Sequence, residues 1–245
     1  MKLSVIIPAH NEEGSICETV TAIYERLNEE SIDHEILVIN DNSSDSTEEL
    51  LQDLGSKIAS VRYFNNEHPN GFGFAVRCGL TKYTGDCVAI MMADLSDSPD
   101  DLVSYFRTLE EGYDCVFGDR WKVKGSVTDY PRTKRMLNRV ANYTVRTAFG
   151  IHYGDCTNAF KLYTRQTIDG LEPFLSPHFN LTLELPLKAI VRGYSYVVVP
   201  NTWQNRTTGQ SKLKIKEMGS RYFFIFLYCL IEKYFSRGDF RKKDS

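Results

Sequence analysis

The sequence has few features that would mark a membrane-spanning or disulfide-stabilised protein. No run in its 245 residues approaches the about 20 apolar residues that a membrane-spanning helix needs. The apolar residues before Pro8 are too few for a secretory signal peptide and meet polar residues at once. The six cysteines, at positions 17, 78, 87, 115, 156 and 229, show no C-x-x-C spacing. We therefore expect a cytosolic protein with reduced core cysteines and without a zinc site.

Charge is unevenly distributed along the chain. The net charge is −3, yet residues 206–245 carry +6 and residues 1–205 carry −9. A basic C-terminal segment on an acidic body predicts an anionic surface or substrate near the C-terminus. Nucleic acid is not an expected partner, because the body is acidic and its aromatic residues are not interleaved with basic ones. The sequence contains no internal repeat, and only residues 237–245 have a composition typical of disorder.

Short apolar runs alternate with helical patterns through the first half of the chain. Strands are predicted at 3–8, 35–40, 60–64, 87–93 and 113–118, each followed by a short link and, except the last, a helix. This order predicts an α/β fold with a mostly parallel sheet covered on both sides. Ligands bind such sheets beyond the carboxyl ends of the strands. Polar residues follow four of the predicted strands, namely Asn11 with Glu12, Asp41, Asp94 and Arg120.

The fourth predicted strand ends in a group of oxygen-bearing side chains. Asp94, Ser96 and Asp97 follow a run that reads as buried on both faces. Mg²⁺ and Mn²⁺ prefer oxygen ligands and share them with substrate phosphates, so the pattern predicts a divalent cation and a phosphorylated substrate. The alternative is a helix start, with Ser98 as the N-cap and Pro99 at the first helical position.

The alternation stops after Arg120. A basic helix is predicted at 131–149, a polar loop at 154–158, and strands at 159–163 and 194–200. A helix at 178–191 contains Pro186, which we expect to end or kink it.

The last predicted helix, at 213–235, permits two interpretations. Apolar residues at helical spacing usually pack in a core. Its phenylalanines and tyrosines, however, surround most of the circumference and are accompanied by lysines and arginines, which favours a helix lying in a membrane interface.

Three segments together resemble glycosyltransferase family 2, whose members are inverting enzymes with a GT-A fold. They read SVIIPAHNEE at 4–13, INDNSSDST at 39–47 and ADLS at 93–96. Within the family the sequence is most similar to dolichol-phosphate mannose synthases and related polyprenyl-phosphate glycosyltransferases. That similarity rests on residues 71–79, 118–120, 138–142, 155–163, 206 and 209–213.

The resemblance implies a division of the chain. Residues 1–212 would form the GT-A domain, with a nucleotide-sugar half at 1–120 and an acceptor half at 121–212. Residues 213–236 would form an amphipathic helix, and 237–245 a basic tail.

The resemblance also implies roles for single residues. Pro8, His10 and Glu12 would line the base and ribose pocket, Asp41 would accept a hydrogen bond from the base, and Asp94 would contact the donor through the metal. The implied metal ligands are Asp94 and Ser96. The residues implied to act in the reaction are Asp94, Arg120, Asp155 and Lys212. The implied acceptor-phosphate ligands are Arg120, Lys134, Arg139, Arg206 and Lys212.

Two positions depart from the family pattern. Met92 replaces the first carboxylate of the metal motif, and a thioether is a poor ligand for a hard cation. We expect weak Mg²⁺ or Mn²⁺ binding through Asp94, substrate oxygens, water and either Ser96 or Asp97, or a reaction partly served by lysine and arginine. Asn40 replaces an aspartate that is common in the family, so the nucleotide of the donor, GDP or UDP, stays open.

The function implied is transfer of a sugar from a GDP- or UDP-sugar to a polyprenyl or dolichyl phosphate, with inversion. The enzyme would be peripheral on the cytoplasmic face of a membrane, and its oligomeric state stays open. One alternative is a hydroxyl acceptor with Asp155, or else Glu184, as general base. Structural roles for both carboxylates compete with that reading. A second alternative is a non-catalytic nucleotide-sugar binding protein.

Overall fold

The computed structural model describes residues 1–128, 130–204 and 215–242, apart from the side chains of residues 132–134 and 215–218. Its strands are β1 (Leu3–Ala9), β2 (His34–Asn40), β3 (Val61–Asn65), β4 (Cys87–Ile90), β5 (Cys115–Asp119), β6 (Val127–Thr128), β7 (Lys161–Thr164), β8 (Tyr196–Pro200) and β9 (Trp203–Gln204). Its helices are α1 (Ile16–Glu29), α2 (Thr47–Lys57), α3 (Phe72–Leu80), α4 (Pro99–Glu110), α5 (Arg132–Phe149), α6 (Arg165–Leu171), α7 (Leu181–Val191) and α8 (Ile215–Phe235).

The central sheet has the order β3-β2-β1-β4-β7-β5-β8, and all of its strands except β7 run in the same direction. β7 lies antiparallel between β4 and β5, so that Val88 pairs with Tyr163 and Val116 pairs with Leu162. β6 and β9 form a separate two-stranded sheet. The predicted α/β fold with a mostly parallel sheet is confirmed.

Both faces of the sheet are covered, which explains why β1 and β2 are apolar along most of their length. All seven residues of each strand are buried. Successive side chains of β1 point to opposite faces, so Ile6 packs in one core cluster and Val5 and Ile7 pack in the other. The first cluster includes residues of α3, α7 and α8, and the second includes residues of α1, α2 and α4. All six cysteines are free.

The predicted start of α4 is confirmed. Ser98 Oγ accepts a hydrogen bond from the backbone N–H of Asp100 at 3.2 Å, and Pro99 is the first helical residue. β4, however, ends at Ile90 and not at residue 93, so Met92 and the carboxylates after it lie in a turn.

α7 continues through Pro186, so of the two expected effects, an end or a kink of the helix, the end does not occur. Proline has no N–H, so the Thr182 carbonyl four residues earlier loses its helical donor. The Lys161 ammonium donates to that carbonyl at 3.1 Å. A side chain from β7 therefore supplies the missing hydrogen bond.

α8 has a buried side and an exposed side. Ile225 and Cys229 are buried in the first core cluster, and Glu232 forms a buried ion pair with Arg192 of 2.7 Å. The core interpretation therefore holds for one side of α8, and the membrane-interface interpretation of its exposed side stays a prediction. Among the described residues, no helix combines the length and apolar character needed to span a membrane.

Candidate active site

The ends of β1 and β2 are joined by hydrogen bonds around Asp41. Its buried carboxylate accepts from the Asn66 side-chain amide at 2.7 Å and from the Gly71 N–H at 2.8 Å. His10 Nδ1 lies 2.8 Å from the Asp41 carbonyl oxygen, and the Glu12 N–H donates to Thr47 Oγ1 at 2.9 Å. With Pro8 near the end of β1 just before them, these residues share one edge of the sheet. Their contacts with base and ribose stay predictions.

The start of α3 lies against the loop that precedes α7. A Cβ added to Gly73 would lie 2.3 Å from the Ser176 carbonyl oxygen, which explains the glycine. Glu184 holds this loop by accepting the N–H groups of Leu175 and Ser176 at 2.8 and 2.7 Å. It also forms a fully buried ion pair with Lys188. These three contacts and the complete burial of Glu184 favour its structural interpretation over that of a general base.

The turn at 92–97 carries the candidate metal ligands. The Ser96 N–H donates to Asp94 Oδ1 at 3.1 Å, and the Met92 N–H reaches Asp97 Oδ2 at 3.4 Å. Leu95 has a φ of 52°, and this left-handed residue closes the turn. Asp97 is only 3% exposed, and burial followed by the charge of Asp94 raises its pKa to about 7.

The donor atoms of the 92–97 turn fit a hard divalent cation. Two carboxylates and a hydroxyl are oxygen ligands, which Mg²⁺ and Mn²⁺ prefer over the Met92 thioether. In the described part of the chain, no three His, Cys, Asp or Glu side chains are grouped as a complete metal site. The turn therefore fits a cation whose remaining ligands are substrate oxygens and water.

Arg120 and Asp155 form a buried bidentate ion pair. Arg120 Nε lies 2.7 Å from Oδ2 of Asp155, and Nη2 lies 2.9 Å from Oδ1. The Arg120 N–H also donates to Oδ2 at 3.2 Å. Burial acts to lower the pKa of Arg120, but the charge of Asp155 outweighs it and raises the pKa above its usual value. Both oxygens of Asp155 are thus committed to positioning Arg120.

Three arginines surround the indole of Trp121. The guanidinium carbons of Arg120, Arg135 and Arg139 lie 5.9, 4.9 and 5.8 Å from the ring centroid. Trp121 Nε1 donates to Asn138 Oδ1 at 3.2 Å, which ties the ring to α5. We call these residues (Arg120, Trp121, Arg135 and Arg139) the arginine–tryptophan cluster.

Sequence reasoning missed part of this cluster. Arg135 lies in the predicted basic helix at 131–149, but the sequence analysis assigns it no role in the site. Its spacing of four residues from Arg139, which puts both on one helix face, was the available signal. Trp121, directly after Arg120, carried no comparable signal, because its contacts come from α5.

Lys161 is a second residue that sequence reasoning missed. Its ammonium is fully buried and donates to the carbonyl oxygens of Cys156 and Thr182, each at 3.1 Å, and to that of Asn158. Burial lowers the pKa of Lys161 to about 7. The lysine therefore anchors the loop that contains Asp155 to the first turn of α7.

Three predicted acceptor ligands cannot be placed. Arg206 and Lys212, like the side chain of Lys134, lie outside the described residues.

α5 and α8 together expose a set of large apolar side chains, which we call the apolar surface. The helices touch where Phe226 packs edge-on against Phe149, with ring centroids 5.7 Å apart. The Lys233 ammonium donates to the Phe149 carbonyl oxygen at 2.6 Å. The surface consists of Met136, Leu137, Val140 and Tyr143 on α5 and Phe223, Phe224, Leu227, Ile231, Tyr234 and Phe235 on α8.

Comparison with known proteins gives one family. The model of glycosyl transferase family 2 matches residues 4–171. A dolichol-phosphate mannosyltransferase of Pyrococcus furiosus is 31% identical over 220 residues, which are 88% of this chain and 60% of that protein. An uncharacterized glycosyltransferase of Bacillus subtilis, YkcC, is 25% identical over 89% of this chain and 65% of its own length. The chain thus spans 60% to 65% of the length of these two relatives.

Solved structures share the fold at lower identity. Glucosyl-3-phosphoglycerate synthase from Mycobacterium tuberculosis in complex with UDP superposes with a TM-score of 0.69 at 20% identity, covering 94% of this chain and 80% of that one. The same enzyme in complex with Mn²⁺, UDP and phosphoglyceric acid gives a TM-score of 0.72 at 20% identity, over 94% and 78% of the two chains. At this identity the superpositions establish the GT-A fold alone.

Proposed function

This chain belongs to glycosyl transferase family 2, and from that membership we propose that it transfers a sugar from a nucleotide sugar to the phosphate of a polyprenyl or dolichyl lipid, with inversion. The observation that carries the proposal is the arginine–tryptophan cluster, which lies at the carboxyl end of β5. The name of the Pyrococcus relative is consistent with it.

The cluster suits a reaction between two phosphorylated substrates. A nucleotide sugar and a lipid phosphate repel each other, and cations between them lower the energy of their approach. Arg120 is close enough to the 92–97 turn that its charge acts to lower the pKa of Asp97, which links the two parts of the site. We assign acceptor-phosphate binding to the cluster, and to Lys134, Arg206 and Lys212 from the predicted set.

The apolar surface favours a lipid over a water-soluble acceptor. Tyr143 is 70% exposed and Phe235 is 77% exposed. Large exposed apolar patches usually mark a site that binds a protein, a membrane or a ligand. α5 carries both Arg139 of the cluster and part of this surface. A lipid with an anionic headgroup matches both features, so we place the enzyme at the cytoplasmic face of a membrane.

The chemistry requires little of the protein beyond positioning. An oxygen of the acceptor phosphate is already anionic at neutral pH and attacks the anomeric carbon on the face opposite the diphosphate. The bond from that carbon to the diphosphate oxygen breaks, and the nucleoside diphosphate leaves with the bonding electrons. A divalent cation held at Asp94 and Ser96 would supply charge neutralisation for that leaving group. Pro8, His10, Glu12 and Asp41 are assigned to the nucleoside.

A hydroxyl acceptor is less well supported. It would need a general base, and the candidate Asp155 already receives three hydrogen bonds from Arg120. The transfer assay described below determines whether the nucleotide of the donor is GDP or UDP. A non-catalytic binding protein would have no need of the cluster beside the donor site.

The test is a transfer assay with a panel of GDP- and UDP-sugars and with polyprenyl phosphate, polyprenol or a soluble phosphate as acceptor. We expect one donor to turn over and to require the lipid phosphate. Arg135→Gln and Arg139→Gln should each raise the KM for lipid phosphate by about 10- to 100-fold, since a hydrogen bond to a charged group contributes about 1.5–3 kcal/mol. Arg146→Gln, in the last turn of the same helix, is the control and should change it less than about twofold. Equal turnover with polyprenol would refute the proposed acceptor.

Membrane attachment is tested separately with vesicles of phosphatidylcholine and phosphatidylglycerol. Phe223→Ser with Phe224→Ser should reduce sedimentation with the vesicles, because both side chains belong to the apolar surface. Tyr113→Ser, an exposed aromatic residue elsewhere, should leave it unchanged. Deleting α8 is not a suitable test, because its buried Ile225 and Cys229 belong to the core. Unchanged sedimentation of the double variant would contradict the membrane assignment.

A further inference from the structure

We propose that Asp97 replaces the carboxylate lost at Met92, so that Asp94 and Asp97 together hold the divalent cation. The proposal rests on the proposed function, because that cation would accompany the diphosphate of the donor. It concerns a position that lies outside the ADLS motif and directly after it.

The Asp97 carboxylate lies beside the backbone of residue 92. Its Oδ2 is 3.4 Å from the Met92 nitrogen, although five residues separate the two along the chain. The Met92 side chain is partly buried and packs against the first core cluster. A carboxylate from the far end of the turn therefore approaches the place where the first ligand of the motif would begin.

Asp97 is poorly satisfied for a buried carboxylate. Within the described residues, the long contact with Met92 N is its only hydrogen bond, whereas Asp41 accepts two and Asp155 accepts three at 3.2 Å or less. Buried carboxylates are normally paired, because desolvation of an unpaired charge is unfavourable. A cation bridging Asp94 and Asp97 would supply the missing partner.

Neither a helix cap nor an ion pair accounts for the burial of Asp97. The start of α4 is capped by Ser98, so Asp97 is not needed there. Arg120 directs Nε and Nη2 to Asp155, and no hydrogen bond joins Arg120 to Asp97 among the described residues. The turn is also held from β9, since the Gln204 N–H donates to the Ser96 carbonyl at 3.1 Å. The protein contacts of Asp97 therefore do not explain why its carboxylate is buried, whereas a bound cation would.

The experiment measures Mn²⁺ binding by electron paramagnetic resonance in the presence of GDP or UDP, without any acceptor. Asp97→Asn and Asp97→Ser should each weaken Mn²⁺ binding by about 10- to 100-fold. Asp100→Asn, an exposed carboxylate three residues later, is the matched control and should change binding less than about twofold. Met92→Asp combined with Asp97→Asn should restore binding to within a few-fold of the unsubstituted protein, and circular dichroism confirms the fold of each variant.

The outcomes separate this inference from the proposed function. Binding by Asp97→Asn equal to that of the unsubstituted protein overturns the inference. Absence of Mn²⁺ binding with both nucleotides also overturns it, while lipid-dependent transfer in EDTA would leave the proposed function intact. Loss of binding in Asp97→Asn with rescue by Met92→Asp supports the inference, even if no acceptor in the panel is glycosylated.

Discussion

The buried ion pair of Arg120 and Asp155 gives the sharpest stability prediction. Asp155→Asn keeps the size of the side chain and removes its charge, so the guanidinium of Arg120 is left buried without a counter-ion. Asp155 is fully buried and Arg120 is 8% exposed, so solvent screens little of this loss. Removing one partner of a buried pair costs about 3–5 kcal/mol.

That free energy corresponds to a large thermal shift. For a chain of this size, about 1 kcal/mol lowers the Tm by roughly 2–4 °C, so Asp155→Asn should melt roughly 6–20 °C lower. Thermal and urea denaturation followed by circular dichroism measure the change. Asp53→Asn, which removes an exposed pair with Lys57, is the control and should cost less than about 1 kcal/mol.

A double variant separates the charge from the packing. Arg120→Leu with Asp155→Leu removes both charges and should be more stable than either single substitution, because no charge is left unpaired. If Asp155→Asn unfolds within about 1 kcal/mol of the unsubstituted protein, the pair is not buried and the reasoning fails. The same substitution cannot diagnose a general base, since loss of activity would follow from displacement of Arg120 alone.

Four further substitutions test other parts of the structure. Because the pKa of Lys161 is lowered to about 7, the unfolded chain binds more protons than the folded chain above that pH. The free energy of unfolding should therefore rise by up to about 1.4 kcal/mol per pH unit between pH 7 and 10. Lys161→Met should flatten this slope in urea titrations. Gly73→Ala should destabilise the fold, because its Cβ would meet a backbone oxygen at 2.3 Å, whereas Gly219→Ala, in open space on α8, should stabilise it by about 0.5–1 kcal/mol; equal melting temperatures would contradict both. Glu184→Gln should lower the Tm by several degrees, since an amide group would face a backbone N–H that the carboxylate now accepts, and an unchanged Tm would argue against that contact.

The sequence was informative where local pattern and burial agree. The alternation of apolar runs and helical patterns predicted β1 to β5, and the signal was clearest where a strand is buried on both faces and mainly apolar, as in β1. Ser98 and Pro99 likewise predicted the start of α4. The insertion of β7 between β4 and β5 could not be predicted, since strand order depends on tertiary packing that no local pattern encodes.

The site was predictable to a lesser degree. Asp94 and Arg120 were predicted as site residues because each follows a strand of a parallel sheet. The bond between Arg120 and Asp155 spans 35 residues, so the choice between a structural and a catalytic carboxylate needed the structure. Lys161 was hidden for the same reason, because its partners come from the preceding loop and from α7.

The contact of Lys161 with the Thr182 carbonyl bears on the routes by which this sequence can change. Pro186 is tolerated in α7 because Lys161, on β7, donates a hydrogen bond to the carbonyl that loses its helical donor at the proline. Pro186→Ala would restore a backbone N–H donor for the Thr182 carbonyl, so that a later substitution of Lys161 would destabilise the protein less. Substitution of Lys161 before Pro186 would leave that carbonyl without a hydrogen bond. The order of two substitutions 25 residues apart would thus decide whether the intermediate sequence still folds.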